Sequence, residues 1–217
     1  MDRKILENLF DENEPRADRD KLESPLEEIF IEKLEKYLSS GVTIHPQYEV
    51  KTIAGKFRLD FLLTCFDKKI AFECDGEEYH DEFRDEFRDG LILGAGTIDA
   101  IYRFRGKDLH TFLDDCIYLI YHFDKELFNE RYPFIFPKLI SDDLKEDIEK
   151  NLLDDSERTR IDHRAINSEG NHVGWLTLIL ERRSKNKSGH WKVLYDFAVA
   201  NPDKTLDELI DLRKKGW

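Results

Sequence analysis

Apolar residues recur along this chain at two periods, and the switches between them mark the elements. Leu26, Phe30, Leu34 and Tyr37 fall at helical spacing. The stretch SPLEE starts that helix, with Ser24 as N-cap, Pro25 at the first helical position and Glu27 closing a capping box. Gly41 ends it. The next stretch, HPQYEVKTIAGKFRLDFLLTC, reads as a hairpin turning at IAGK, because Phe57, Leu59, Phe61 and Leu63 alternate with Arg58, Asp60 and Leu62. DKK turns the chain into a third strand, IAFECD. A charged helix, DEFRDEFRDGLIL, and a fourth strand, AIYRF, follow. KDLHTFLDDCIYLIYHF then reads as one apolar helix, with Leu109, Phe112, Leu113, Cys116, Ile117, Ile120 and Phe123 inward.

The order helix, three strands, helix, strand, helix predicts an α/β fold over about residues 24–125, a mixed sheet flanked by helices. Residues 1–23 are expected to form a short helix around Ile5 to Phe10 and then a flexible linker. Residues 126–217 are expected to be a connector and a C-terminal α+β extension. RYPFIFPK reads there as extended, and residues 141–157 as an acidic helix carrying eight acids against two lysines. GWLTLILERRSKNKSGHWKVLYDFAV is expected to be a small β-hairpin with a polar tip, and Asp203 to Leu212 a closing helix.

The 217 residues are 40% hydrophobic and 12% aromatic, enough for a real core. No apolar run approaches a membrane span, and the first residues are too polar for a signal peptide. Cys65, Cys74 and Cys116 are odd in number, form no CxxC pair and lie among apolar residues, so reduced core thiols in a cytoplasmic protein are expected. A net charge of −13 argues against whole-surface nucleic-acid binding and leaves only a local basic groove open.

The sharpest chemistry lies in AFECDGEEYH, Ala71 to His80. It begins as a buried strand and then places Glu73 and Asp75 on one face of it. Buried carboxylates are costly unless something positive holds them. A metal ion, a lysine or arginine partner, and simple exposure are the three answers. If the strands pair through the DKK turn, Asp60 and Glu73 converge, and two carboxylates at a strand end suit a hard divalent cation. His80 is placed to act as a general base, a leaving-group acid or a phosphate contact.

SPLEEIF, RLDFLL, AFECDGEEYH, DEFRD and IYRF, in this order, resemble the PD-(D/E)xK nuclease superfamily, in particular its very-short-patch-repair endonucleases and related endonuclease-like domains. The resemblance covers about residues 24–123. It implies a restriction-endonuclease-like core and a metal-dependent endonuclease that hydrolyses phosphodiester bonds with Mg²⁺ or Mn²⁺, in DNA more than in RNA. It makes Asp60 the central metal ligand, Glu73 the second, His80 a catalytic histidine and Glu27 the acid of the first helix. Arg88 and Asp89 match the RD pair, and Arg103 the arginine of RF. Asp75 stands where the superfamily has lysine; Lys69 or the metal itself is expected to supply that function.

The segment ERRSKNKSGHWK adds Arg182, Arg183, Lys185, Lys187 and Lys192 with Trp191, a basic patch suited to backbone phosphates and a stacked base. The acidic segment 141–157 is expected to be a solvated helix or a DNA mimic blocking the cleft. A nuclease fold that binds nucleic acid or a protein partner without cutting is the alternative function.

Overall fold

The computed structural model describes residues 15–76, 81–135, 140, 142–151, 157–166, 169–183 and 189–215. Helix α1 (Pro25–Glu35) starts as its sequence requires. Ser24 Oγ accepts the Glu27 N–H at 3.2 Å, and the Glu27 carboxylate accepts the Glu23 N–H at 3.0 Å. The residues before it are not a free linker where they are described. The Ala17 N–H, Arg16 and Arg19 all bond to the buried Glu35 carboxylate, which fastens this segment to α1. The helix expected around Ile5 to Phe10 lies outside the described residues.

Strands β1 (Val42–Thr52) and β2 (Gly55–Cys65) form the expected hairpin, and β3 (Lys68–Asp75) adds antiparallel to β2. Helix α2 (Glu82–Gly94) is capped by Asp81, whose side chain accepts the Phe83 and Arg84 N–H groups. It carries the chain across to β4 (Ala100–Arg105), which pairs parallel to β3. The single apolar helix expected next is two, α3 (Gly106–Thr111) and α4 (Leu113–Phe123). They are broken at Phe112, whose φ of −129° and ψ of 35° leave the helical region. A short helix α5 (Tyr132–Ile135) replaces part of the extended connector, and α6 (Asp142–Asn151) is a helix within the acidic segment.

The C-terminal hairpin differs from its expected form. Strand β6 (His172–Arg182) pairs with β5 (Arg158–Ile166), and HWKVLYDFAV is a helix, α7 (His190–Val199). Trp191, Leu194 and Ala198 are its buried residues, at i, i+3 and i+7, a helical stripe. Helix α8 (Leu206–Lys215) closes the chain.

All six strands form one mixed sheet, ordered β1-β2-β3-β4-β6-β5. The extension therefore continues the sheet of residues 24–125 through the antiparallel β4–β6 pair. The two faces carry two cores. On one, Phe30 of α1 packs 5.7–6.0 Å from the rings of Phe61, Phe72 and Phe104, and the cluster runs on through Leu176, Leu178 and Leu180. On the other, Phe87 and Leu91 of α2 meet Trp191 and Leu194 of α7 and Leu206 and Leu209 of α8 over Ala71 and Ile101. Cys65, Cys74 and Cys116 are free and buried, as expected. Among the described residues, no helix is long and apolar enough to cross a membrane.

The acidic helix α6 packs on the α1 side of the sheet. It buries Leu144 and Ile148 there, and its Asp147 holds His163 of β5 at 2.6 Å. Described this far, it does not block the face that carries Glu73 and Asp75.

Helices α2 and α7 touch at two glycines. A Cβ on Gly94 would lie 2.5 Å from the Trp191 carbonyl oxygen and from Tyr195 Cβ, and one on Gly90 would strike Leu194. Gly94→Ala is therefore expected to lower unfolding free energy by about 1–3 kcal/mol despite alanine's better helix propensity. Urea denaturation checks this; an unchanged or raised midpoint would mean that the two helices do not meet this closely.

Candidate acidic site at the ends of β3 and β4

The functional candidates gather at the C-terminal ends of the two parallel strands, the end where α/β sheets commonly place their ligands. The register puts Glu73 beside Arg103 and Asp75 beside Arg105. Neighbouring side chains on β3 and β4 thus share the face covered by α2, whose Arg88 and Asp89 reach down to them.

The β2 ladders are interrupted where Asp60 lies. The β1–β2 pairs run through Pro46–Phe61 and Tyr48–Leu59 but skip the position between them, and Gln47 there has a φ of 51°. The β2–β3 pairs stop at Phe61–Phe72. The Asp60 carboxylate replaces the next ladder bond by accepting the Cys74 N–H at 2.7 Å. The expected single row of Phe57, Leu59, Phe61 and Leu63 divides at the same place. Phe57 and Leu59 pack in the α2-side core, and Phe61 and Leu63 in the α1-side core. Gln47 donates through Nε2 to the Glu27 carboxylate at 2.8 Å, tying the α1 acid to the same locality.

Glu73 and Asp75 have arginine partners, the second of the three answers left open by the sequence. Arg88 meets Glu73 at 2.5 Å and Asp89 at 3.1 Å. Arg103, with a side chain only 7% exposed, grips both oxygens of Asp89 at 2.8 and 2.9 Å and lies 3.3 Å from Asp75. These two arginines are thus engaged with acids and are not offered to a phosphate. Burial still pushes Glu73 up to about 8 against the pull of Arg88 and Arg103, with Asp60 and Asp89 adding to the rise. Burial likewise pushes Asp60 up to about 6; Glu27 and Asp75 raise it further, while the Cys74 N–H and Arg88 oppose the shift. The mutually interacting group holds five carboxylates, those of Glu27, Asp60, Glu73, Asp75 and Asp89, against the two arginines. Positive charge is short around Asp60.

Glu181 of β6 belongs to this network and was not singled out from the sequence. Burial, and then Asp89, push its carboxyl up to about 9, and the two carboxyls are hydrogen-bonded. Glu181 Oε2 is buried and has no partner if the group is ionised. A proton on Glu181 shared with Asp89 satisfies it. Its signal in the sequence is slight, one acid in step with Thr177 and Ile179 on a largely apolar strand.

The expected basic tip does not assemble as a free patch. Arg182 pairs with Asp124 and donates to the Tyr102 hydroxyl at 3.0 Å. Arg183 pairs with Asp99, and Lys192 with Asp196. Trp191 is buried, and its indole N–H donates to the Arg182 carbonyl at 2.8 Å, so it is not a stacking platform. Lys185, Lys187 and His80 lie outside the described residues. Lys69 sits at the opposite end of β3 from Asp75, beside a depression lined by Tyr48 and Thr97, and does not stand in for the missing lysine.

Comparisons with known proteins find no matching family model, no matching curated protein and no matching solved structure. Among the described residues, no group of three or more histidine, cysteine or acidic side chains is arranged to hold a metal ion. Any cation here would rest on Asp60 with one neighbouring carboxylate and complete its shell with water. Such a two-carboxylate, water-rich shell suits Mg²⁺.

The raised Asp60 and Glu73 values set a pH dependence. From the ordinary carboxylate range up to about 8, the folded protein holds more protons than the unfolded chain. Their contribution to stability is full below that range, falls as pH rises through it and is gone above about 8. Denaturation midpoints measured across this window should therefore fall for the wild type and fall less steeply for Glu73→Gln. Equal slopes would show that Glu73 titrates as an ordinary surface acid.

Proposed function

We propose that this protein is a metal-dependent nuclease that hydrolyses phosphodiester bonds, in DNA more readily than in RNA, on a restriction-endonuclease-like core. The observation that carries this reading is the deficit of positive charge at Asp60: five interacting carboxylates share two arginines at the ends of β3 and β4. A divalent cation would offset that deficit. The order of α1, β1–β3, α2 and β4 also agrees with the order of the five motifs that resemble the PD-(D/E)xK superfamily.

Asp60 and Glu73 would hold Mg²⁺ or Mn²⁺, with Asp75 beside them. A metal held there would supply a coordinated water of lowered pKa and positive charge against the phosphate. The chain's own groups do the rest. The Cys74 N–H fixes the Asp60 carboxylate, Gln47 and the Glu23 N–H fix Glu27, and Arg88 orients Glu73. His80 carries the proton-transfer role by resemblance. Free, buried cysteines fit a cytoplasmic setting.

One observation favours a second reading, a fold of the same kind that binds nucleic acid or a protein without cutting. Arg88 and Arg103 already neutralise much of the acid that a metal would use. Cleavage decides between them. With Mg²⁺ or Mn²⁺, wild-type protein should nick DNA, and Asp60→Ala should cut at least about 100-fold more slowly, the scale of losing one preorganised electrostatic contact. Absence of cleavage by folded wild type on supercoiled, linear, single-stranded and mismatched DNA and on matched RNA would support the binding reading.

A further inference from the structure

The sheet face that holds the acids does not end at β4. Register carries it outward: Arg103 lies beside Ile179 of β6, which lies beside Arg160 of β5, and the next pairs on this face are Thr177–Asp162, with Thr177 buried, and the exposed Trp175–Arg164. Side chains on the other face, Phe104, Leu176, Leu178 and Ile161, are buried in the α1-side core. The hairpin therefore presents a polar row on the same side as Glu73 and Asp75. A cavity of about 140 Å³ lies along it, where Arg103, Arg105, Arg158 and Arg160 face Asp75, Asp85, Glu86 and Glu181, so that the positive charge open to solvent lies outward, at the exposed Arg160 and Arg164.

The row ends in an aromatic. Trp175 is 50% exposed, and its ring is steadied edge-on by His172 at 5.7 Å. Beneath it, Arg105 donates to the Trp175 carbonyl at 2.9 Å and pairs with the buried Asp108 at 2.6 Å. Arg160 is exposed and held by Asp162 at 2.9 Å, while Arg158 spans Glu86 and Glu181. Arg164, opposite Trp175, is exposed. Guanidinium groups followed by an exposed indole complement a polyanion that carries planar rings. From Asp75 to Trp175 is about two strand spacings across and two residues along, roughly 12 Å, the reach of about two nucleotides of extended strand.

We propose that the β5–β6 hairpin is a binding track for an unpaired nucleic-acid strand, with the exposed Arg160 and Arg164 on phosphates and a base stacked on Trp175. The track rests on the nuclease reading for its role, since it would deliver a strand to Asp60, but its binding requires no metal. It also relocates the basic and aromatic surface that the sequence suggested at residues 182–192. Stacking of an exposed base needs a base freed from its partner, so single strands, or frayed and gapped ends, are the expected ligand.

The test is fluorescence anisotropy of a labelled oligothymidylate with the full chain in EDTA, so that no cleavage occurs. The wild type should bind the single strand more tightly than a matched duplex. Trp175→Ala should weaken binding about 5- to 100-fold, and Trp175→Phe should restore much of it. Arg160→Ala with Arg164→Ala should reduce the salt slope by roughly 0.7 for each lost contact. Binding in EDTA followed by no cleavage when Mg²⁺ or Mn²⁺ is restored would leave the track standing and fail the nuclease reading alone, which separates the two. Absence of binding, unchanged affinity in Trp175→Ala, a duplex held as tightly as the single strand, or equal competition by polyglutamate would each overturn the track. Trp175 is half exposed, so its loss should leave the fold intact, and an unchanged thermal midpoint confirms that.

Discussion

Arg103 and Asp89 form a bidentate pair where four elements meet. Arg103 comes from β4 and Asp89 from α2; Asp75 of β3 touches the arginine, and Glu181 of β6 touches the aspartate. Neither Arg103 nor Asp89 reaches solvent well enough to be hydrated, so each requires the other. Breaking such a buried pair from one side typically costs about 3–5 kcal/mol, because the remaining charge is stranded. The constraint fixes how α2 sits over the sheet and therefore where Arg88 meets Glu73. Once Arg103 is committed to Asp89 and Arg88 is divided between Glu73 and Asp89, little positive charge is left for Asp60. The shortage at the candidate site is thus a consequence of how the fold is braced.

That bracing reaches into the C-terminal third of the chain. Glu181, its carboxyl raised by burial and by Asp89, lies against Asp89; Arg158 reaches Glu181 at 3.1 Å, and Trp191 ties α7 to the backbone of Arg182. Strands β5 and β6 are built into the main sheet. They continue both of its faces, one into the core and one into the row from Arg105 to Trp175.

Much of this was legible in the sequence where one interaction dominates locally. The Ser24 cap, the β1–β2 hairpin, the strand at AIYRF and the approach of Asp60, Glu73 and Asp75 follow from capping, period 2 and strand adjacency, whereas Glu27, Arg88 and Arg103 are tied to them by the resemblance alone. Misreadings arose where a tertiary contact decided the outcome. HWKVLYDFAV carries enough β-formers to pass for a strand, but Trp191, Leu194 and Ala198 bury on one helical stripe against α2. The row Phe57 to Leu63 divides between two cores because of the irregularity at Gln47 and Asp60, which no simple period reveals. Arg182 and Arg183 looked like a free basic tip; Asp124, 58 residues earlier in the chain, and Asp99, 84 residues before Arg183, claim them. Trp175 carries no periodic signal in the sequence, because its neighbours Leu176, Leu178 and Leu180 mask the alternation on β6.

Under the proposed function, the acids around Asp60 lack a positive charge that a divalent cation would supply. Calorimetric titration of the metal-free protein with Mn²⁺ near neutral pH, repeated in buffers of different ionisation enthalpy, tests it most directly. Binding at one site should release protons, because Asp60 and Glu73 carry raised values that an ion must lower, and affinity should rise with pH and be lost in Asp60→Ala. Absence of binding, or binding of the same strength without Asp60, would contradict it and leave the arginines as the site's whole complement of positive charge.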